Sequence, residues 1–191
     1  MERFQWRKPS REEGPFVILD KKVFPLIIFH NSYGPGRESR IHQKTRGVRP
    51  PQAPCIPWIF TSSSGRMALR KWRGGVYRYL PKEHSLLPIA KGDRRREIAV
   101  ASLSQMWMAR AAVLFIITAE YRRITGKYGE RGIRYALNEV GHVGQNLFLQ
   151  AEALGLGAGI VGAFHDSEVS NIAGLPSKHE PLLIMPVGYK K

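Results

Sequence analysis

A long helical segment near the C-terminus constrains the fold more than any other feature of this sequence. Between Arg131 and Leu154, apolar residues recur at steps of three, four or seven, which is the spacing of one face of an α-helix. Gly155 and Gly157 follow this segment and are predicted to end the helix. The residues that define the apolar face are Ile133, Leu137, Val140, Leu147 and Ala151.

The segments around this helix predict strands and shorter helices. Asp93 is a candidate N-cap for a helix from Arg95 to about Ala109, and Asp166 for a short helix after the long one. Strands are predicted at residues 75–79, 112–118 and 182–187, with a turn at residues 80–84. The order strand, helix, strand, long helix, short helix, strand predicts an α+β domain.

Chain length and the cysteine count exclude several classes of protein. With 191 residues the chain can form one domain with a core. The longest apolar stretch, Ala111–Ala119, is too short to cross a bilayer, and the N-terminus has no secretory signal pattern. The single cysteine, Cys55, excludes an internal disulfide framework and a cysteine-rich zinc site. We therefore expect a cytoplasmic protein without a membrane partner.

The net charge of +15 suggests nucleic-acid binding as one alternative function. The excess is uneven, because residues 1–74 carry a net +10 and residues 75–191 only +5. Residues 30–51 show neither helical nor strand periodicity, and residues 66–73 carry charge on every side, so a disordered basic insertion is one interpretation of residues 30–74. We therefore predict an atypical basic N-terminal region at residues 1–74 and a folded domain at residues 75–191.

Two segments carry a resemblance to a known family. Residues Lys127–Tyr135, followed by Asn138–Leu147, resemble the nitroreductase superfamily, and within it the SagB-type dehydrogenase branch. The resemblance runs in register over residues 75–191 and is more specific than any single short motif. Further matching pieces are Gly75–Tyr79, Gly92–Asp93, Gln105, Ala153–Gly157 and Pro186–Tyr189.

This resemblance implies a fold, a cofactor and a reaction. Members have a nitroreductase-like α+β fold, with a mostly antiparallel central sheet flanked by helices and the long helix at a homodimer interface. They bind FMN at that interface and transfer hydride through the bound flavin, so an FMN-dependent oxidoreductase is expected. NAD(P)H is a candidate electron donor, and the substrate is a small molecule or a peptide.

The resemblance also assigns cofactor-binding residues. A flavin needs a flat slot, backbone N–H groups near its polar edge and cations for its phosphate. Glycines after the long helix leave the backbone uncovered, although a helix C-cap with a flexible turn explains them equally well. At Gly162 some members place an acidic residue, so a side-chain role is lost there. The candidates are Gln145, Asn146, Gly157, Ile160, Val161, Gly162, Ala163, Lys190 and Lys191.

The candidate catalytic pair is Lys127–Tyr128, which matches a Lys-Tyr pair associated with catalysis in the azoline-dehydrogenase branch. A lysine could move a proton while the flavin takes a hydride. The alternative is a surface turn before the long helix. Glu139 and His142 share one face of that helix, but no third ligand is evident, so a surface hydrogen bond is predicted and no metal site.

The N-terminal segments of the family are not recognisable in residues 1–74. Members have an Arg- and Ser-rich segment that grips the FMN phosphate, and later a Ser-Ala-Gly-Ala-Leu-Tyr-Pro stretch. A shifted reading frame across residues 50–64 can encode a similar stretch, so one hypothesis is that much of residues 30–74 is translated out of frame. A flavin-deficient pseudoenzyme is therefore an alternative function, and a basic nucleic-acid-binding protein is another.

Overall fold

A computed structural model describes residues 55–61, 74–80 and 85–190, and of residues 55–61 it describes the backbone alone. These residues form six strands, four α-helices and a single 3₁₀ turn at Met108–Arg110. The strands are β1 (Cys55–Thr61), β2 (Gly75–Leu80), β3 (Ser85–Lys91), β4 (Val113–Ala119), β5 (Leu156–Ala158) and β6 (Glu180–Tyr189). The helices are α1 (Arg95–Ala101), α2 (Arg122–Tyr128), α3 (Arg131–Ala153) and α4 (Asp166–Ala173).

The strands form one antiparallel sheet in the order β3-β2-β1-β4-β6-β5. The predicted α+β class with a mostly antiparallel sheet is confirmed. Strand β4 lies near the middle, and all seven of its residues are buried. A continuous run of β-branched and aliphatic residues fits this position because both faces of the strand are covered.

Helices cover both faces of the sheet. Phe115 and Ile117 of β4 point into a core formed with α3, whereas Leu114 and Ile116 point into a second core formed with α1 and α4. The alternation follows from the period of two along a strand. The result is a three-layer arrangement in which α3, in contact with α2, lies on one face, and α1 and α4 lie on the other.

Strand β1 lies N-terminal to the predicted boundary at residue 74. It pairs with β2 on one side and with β4 on the other. Pro57 falls opposite Ile117 of β4, and a proline cannot donate a hydrogen bond to the ladder. The remaining predictions for residues 1–54 and 62–73, and for the turn at residues 81–84, lie outside the described residues.

The long helix was predicted almost to the residue, but part of its apolar face was assigned wrongly. Gly155, with φ of +68°, reverses the chain after α3, whereas Gly157 lies inside β5. Val140, Leu147 and Ala151 are buried as expected. Ile133 and Leu137 are 41% and 50% exposed, whereas Gly132 and Ala136 of the same turns are buried, so the buried face of these turns differs from the predicted one.

The first helix was predicted too long. It ends at Ala101, and Leu103 and Ser104 then take positive φ values of 53° and 57°, which no α-helix contains. The carboxylate of Asp93 does accept a hydrogen bond from the Arg95 backbone N–H, at 3.1 Å. Asp166 is the first residue of α4 and makes no side-chain cap, so the capping role predicted for it is wrong.

None of the described helices is both long enough and apolar enough to span a bilayer.

Candidate functional site

The segment after β5 forms an open edge of the sheet. The Gly159 N–H donates to the Pro186 carbonyl at 2.9 Å, and Val161 exchanges two backbone hydrogen bonds with Ile184, at 2.8 and 3.0 Å. Alternate residues of such a segment point the other way. The N–H groups of Ile160 and Gly162 therefore face away from β6, and within the described residues no acceptor meets them.

Side chains leave this edge accessible from one side. Val161 is buried against α1 and α4, whereas Ile160 is 56% exposed. Within the part of the chain that the structure describes, a Cβ added at Gly162 would meet no atom within 4 Å. A planar ring could approach this backbone closely, with the outward-facing N–H groups near its polar edge.

A loop between α1 and the 3₁₀ turn contacts the same segment on the face to which positions 159 and 161 point. The Gln105 side-chain amide donates to the Ala163 carbonyl at 3.2 Å, and the Trp107 ring packs against Gly159. Sequence comparison matched Gln105 but gave it no role, and Trp107 was missed. The only sequence signal for Trp107 is an aromatic residue in a non-periodic stretch.

The candidate catalytic pair lies at the end of α2. Tyr128 makes an edge-to-face ring contact with Tyr135 of α3, with ring centroids 5.3 Å apart. The Lys127 Nζ lies 5.2 Å from the Tyr128 ring centroid, and both side chains are exposed. The pair is thus fixed against the start of the long helix while its polar atoms stay accessible.

The other candidate residues occupy varied environments. Gln145 is exposed and Asn146 is half-buried, so neither amide points wholly into the core. The ammonium group of Lys190 forms an exposed ion pair with Glu152 of α3. Gly157 lies opposite Gly188 in the sheet, and Lys191 lies outside the described residues.

Within one chain the two groups of candidates stay apart. Gly144 of α3 approaches Leu183, next to the Ile184 that pairs with Val161, whereas Tyr135 lies nine residues earlier. Nine residues span about 14 Å along a helix axis. Among the described residues, no side-chain contact joins Lys127 or Tyr128 to the segment at 159–163.

Glu139 lies between these two groups on α3. Tyr135, Glu139 and Asn146 share one side of the helix, since their positions differ by roughly 40° at 100° per residue. Glu139 is half-buried, and this burial raises the pKa of its carboxyl group from 4.5 to about 7. The sequence predicted a surface hydrogen bond between Glu139 and His142. It did not predict the main property of Glu139, which is that burial desolvates its carboxyl group.

Replacing Glu139 with glutamine is expected to stabilise the protein at pH 8. A carboxyl group whose pKa is raised on folding contributes stability that is complete below pH 4.5 and lost as the pH rises through 7. Glutamine does not ionise, so its contribution to stability does not fall with pH. The free energy of unfolding of Glu139→Gln should therefore exceed that of the wild type by about 1–2 kcal/mol at pH 8 and by almost nothing at pH 4.5. Urea unfolding at both pH values measures this difference.

The control for that experiment is Glu130→Gln, because Glu130 is an exposed residue at the start of the same helix. Its substitution should change the stability difference between the two pH values by less than about 0.5 kcal/mol. A Glu139→Gln variant less stable than the wild type at pH 8 would show that a cation holds the carboxylate in place.

A buried ionic cluster at the end of β4 fixes the start of α2. The Glu120 carboxylate accepts hydrogen bonds from Lys178 at 2.9 Å and from Arg123 at 2.6 Å. The hydrogen bond from Lys178 is the largest of the effects that lower the pKa of Glu120. The Nδ1 atom of His179 lies 3.0 Å from the Thr118 hydroxyl, and burial lowers the pKa of this imidazole to about 4. The cluster thus ties the helix that carries Lys127 and Tyr128 to the sheet.

Among residues 55–61, 74–80 and 85–190, no three His, Cys, Asp or Glu side chains are grouped as a metal ion would require.

Comparison with known proteins gives a family match that includes all the candidate residues except Lys190 and Lys191. Residues 53–189 match the family model described as "Nitroreductase family". The protein named "Putative nitroreductase MJ1384" of Methanocaldococcus jannaschii is 50% identical over 116 residues, which are 61% of this chain and 58% of that protein. The microcin B17-processing protein McbC of Escherichia coli is 29% identical over 123 residues, covering 61% of this chain and 44% of McbC. The chain thus spans about half the length of these curated relatives.

A solved structure shows the same architecture. The crystal structure of a protein described as a putative nitroreductase from Anabaena variabilis superposes with a TM-score of 0.65 at 29% identity. The superposition covers 72% of this chain and 27% of that one.

Proposed function

Because this chain belongs to the nitroreductase family and has a nitroreductase-like fold, we propose that it is an FMN-dependent oxidoreductase. When bound, FMN would supply hydride transfer. The observation that carries the proposal is the open backbone edge at Ile160 and Gly162, whose N–H groups point away from β6. The residues that would hold the flavin are the segment 157–163, Asn146 and Gln145, with Lys190 and Lys191 directed to its phosphate.

A glycine substitution tests the flavin site. A side chain at Gly162 would meet open space, so Gly162→Leu should leave the fold intact while occupying the place of the flavin ring. We expect FMN affinity to fall at least about tenfold, which corresponds to 1.4 kcal/mol. Titrating the purified protein with FMN and following quenching of flavin fluorescence measures this change.

The matched control is Gly126→Leu, since a Cβ at Gly126 of α2 also meets nothing within 4 Å. This variant should bind FMN as the wild type does. A wild-type protein that neither carries flavin when purified nor binds added FMN would contradict the proposed function and favour the flavin-deficient pseudoenzyme. Equal losses in both glycine variants would show that the effect is unrelated to the ring site.

We further propose that the protein is a homodimer paired through α3. Ile133 and Leu137 belong to the apolar face predicted for this helix and remain exposed. A second copy of the same helix is the occupant that fits, because a two-fold contact covers the same apolar face on both chains. Within one chain, the Lys127–Tyr128 pair and the segment at residues 157–163 are separated. A contact between two copies of α3 would bring different parts of the two helices together, and so could bring these two groups of candidates closer.

Leu137→Glu is expected to produce a monomer. The wild type should sediment at about twice the chain mass of 21.6 kDa, whereas a buried unpaired carboxylate at the interface opposes association. Val100→Glu is the control, because Val100 is 52% exposed on α1, which packs on the opposite face of the sheet. Sedimentation of a monomeric wild type at micromolar concentration would argue against the dimer.

The Lys127–Tyr128 pair supports a finer proposal, namely activity of the SagB-type dehydrogenase branch. In this proposal the Lys127 Nζ or the Tyr128 hydroxyl moves the proton that accompanies hydride transfer. The 29% identity to McbC supports that branch over part of the chain. A small molecule or a peptide would be the substrate, and NAD(P)H is the proposed donor when the reaction is a reduction.

The N-terminal region bears on how well FMN is held. We propose that much of residues 30–74 is an out-of-frame translation, because a shifted frame across residues 50–64 can encode a stretch similar to that of the family. The family match begins at residue 53 and so includes part of the stretch for which the shift is proposed, which counts against a shift there. Sequencing the gene from independent DNA tests the proposal, and an uninterrupted frame identical to the present one would reject it.

A further inference from the structure

The loop at residues 102–108 contacts the segment at residues 159–165 at three points. The His165 backbone N–H donates to the Ala101 carbonyl at 2.9 Å, at the start of the loop. The Gln105 side chain donates to Ala163 at 3.2 Å. The Trp107 ring lies so close to Gly159 that a Cβ there would come within 2.7 Å of its Cη2 atom. The loop therefore runs along the segment in the opposite direction.

Along the edge next to β6, the segment is held only in part. Strand β6 pairs with it at Gly159 and Val161. Beyond Val161, the described residues include no backbone hydrogen bond between this segment and β6. The position of Gly162 and Ala163 thus depends on the loop, through Gln105 and through the bond from His165.

The conformation of the loop is itself costly. Leu103 and Ser104 both take left-handed φ values, which non-glycine residues rarely adopt. Several interactions hold the loop in this shape: the Ser104 backbone N–H donates to the Val100 carbonyl at 3.0 Å, the fully buried Ser102 hydroxyl donates to the Ile98 carbonyl at 2.8 Å, and the Trp107 ring packs on Gly159. Strained loops of this kind persist only where their surroundings determine them.

We propose that Gln105 and Trp107 are positioning residues, which hold the backbone of residues 159–163 flat where the flavin ring is expected to lie. This inference rests on the proposed function. Trp107 acts through its contact with Gly159, and Gln105 through the Ala163 carbonyl. A side chain at Gly159 would force the Trp107 ring to move.

A double-mutant cycle on FMN affinity tests the contact between Trp107 and Gly159. We expect Trp107→Ala and Gly159→Ala each to weaken FMN binding about tenfold. In the Trp107→Ala background the steric conflict is gone, so Gly159→Ala should then cost less than about twofold. Met106→Ala is the control, because Met106 is an exposed neighbour in the same loop and should leave FMN affinity unchanged.

A second measurement needs no flavin. In the apoprotein, hydrogen exchange at the Val161 and His165 amides should be faster in Trp107→Ala and Gln105→Ala than in the wild type or in Met106→Ala. If the wild type binds FMN but Trp107→Ala binds it equally well and exchanges no faster, the positioning role is overturned. If the wild type fails to bind FMN, the proposed function falls, and the exchange rates alone decide whether the loop orders the segment.

Discussion

Replacing Lys127 with alanine is expected to lower the rate of flavin-linked turnover by about 10²–10⁴-fold, the range that general acid–base groups contribute. Lys127 lies at the end of α2 with its ammonium group 5.2 Å from the Tyr128 ring centroid, and it is exposed. Its loss should therefore remove proton transfer without disturbing the core. Single-turnover kinetics of flavin reduction or reoxidation measure the step directly, and FMN content should stay at the wild-type level.

The control for Lys127→Ala is Arg122→Ala, which removes an exposed cation from the same helix. Turnover in this variant should stay within about twofold of the wild type, since exposed charges far from a reacting group act weakly. Wild-type turnover in Lys127→Ala would remove lysine from the mechanism. A loss of FMN together with activity would instead assign Lys127 to cofactor binding.

Phe115→Ala is expected to destabilise the protein by about 3–5 kcal/mol. Phe115 is fully buried in β4, where it packs in the core between the sheet and α3. Truncation removes the transfer free energy of the ring and leaves a cavity that neighbouring strands cannot close, because β4 is paired on both sides. Since domains are stable by only about 5–15 kcal/mol in total, this substitution brings the protein close to unfolding. Urea unfolding at a fixed protein concentration measures the loss.

Val100→Ala is the control for the core, because Val100 is 52% exposed on α1. Its stability should change by less than about 0.5 kcal/mol, as for most surface substitutions. If Phe115→Ala lowers the free energy of unfolding by less than about 1 kcal/mol, the assigned core between β4 and α3 is not formed in solution.

The elements that the sequence predicted well are those in which one local property decides the structure. Strand β4 is an unbroken apolar run, and α3 repeats its apolar residues with helical spacing over 23 residues. Gly155 marks the end of α3 because its φ of +68° is easily reached only by glycine. Strand β3 was not predicted, since its mostly exposed residues show no alternation and include Pro88.

The candidate site was predicted as a set of residues but not as an arrangement. The resemblance to the family assigned candidate roles to residues 157–163 and to Lys127–Tyr128, and these roles remain predictions. It gave no role to Trp107, whose contact with Gly159 joins positions 52 residues apart. It also could not show that burial raises the pKa of the Glu139 carboxyl group, because desolvation depends on what packs around the helix.

The sequence by itself determined which faces are apolar, where a central strand and a long helix form, and where glycine must stand. Only the tertiary structure decided that Ile133 and Leu137 are exposed while Gly132 and Ala136 of the same turns are buried. It likewise decided which backbone N–H groups of residues 159–163 pair with β6 and which face outward. The physical reason is that periodicity and backbone preference are local, whereas burial and hydrogen-bond pairing depend on residues far apart in the chain.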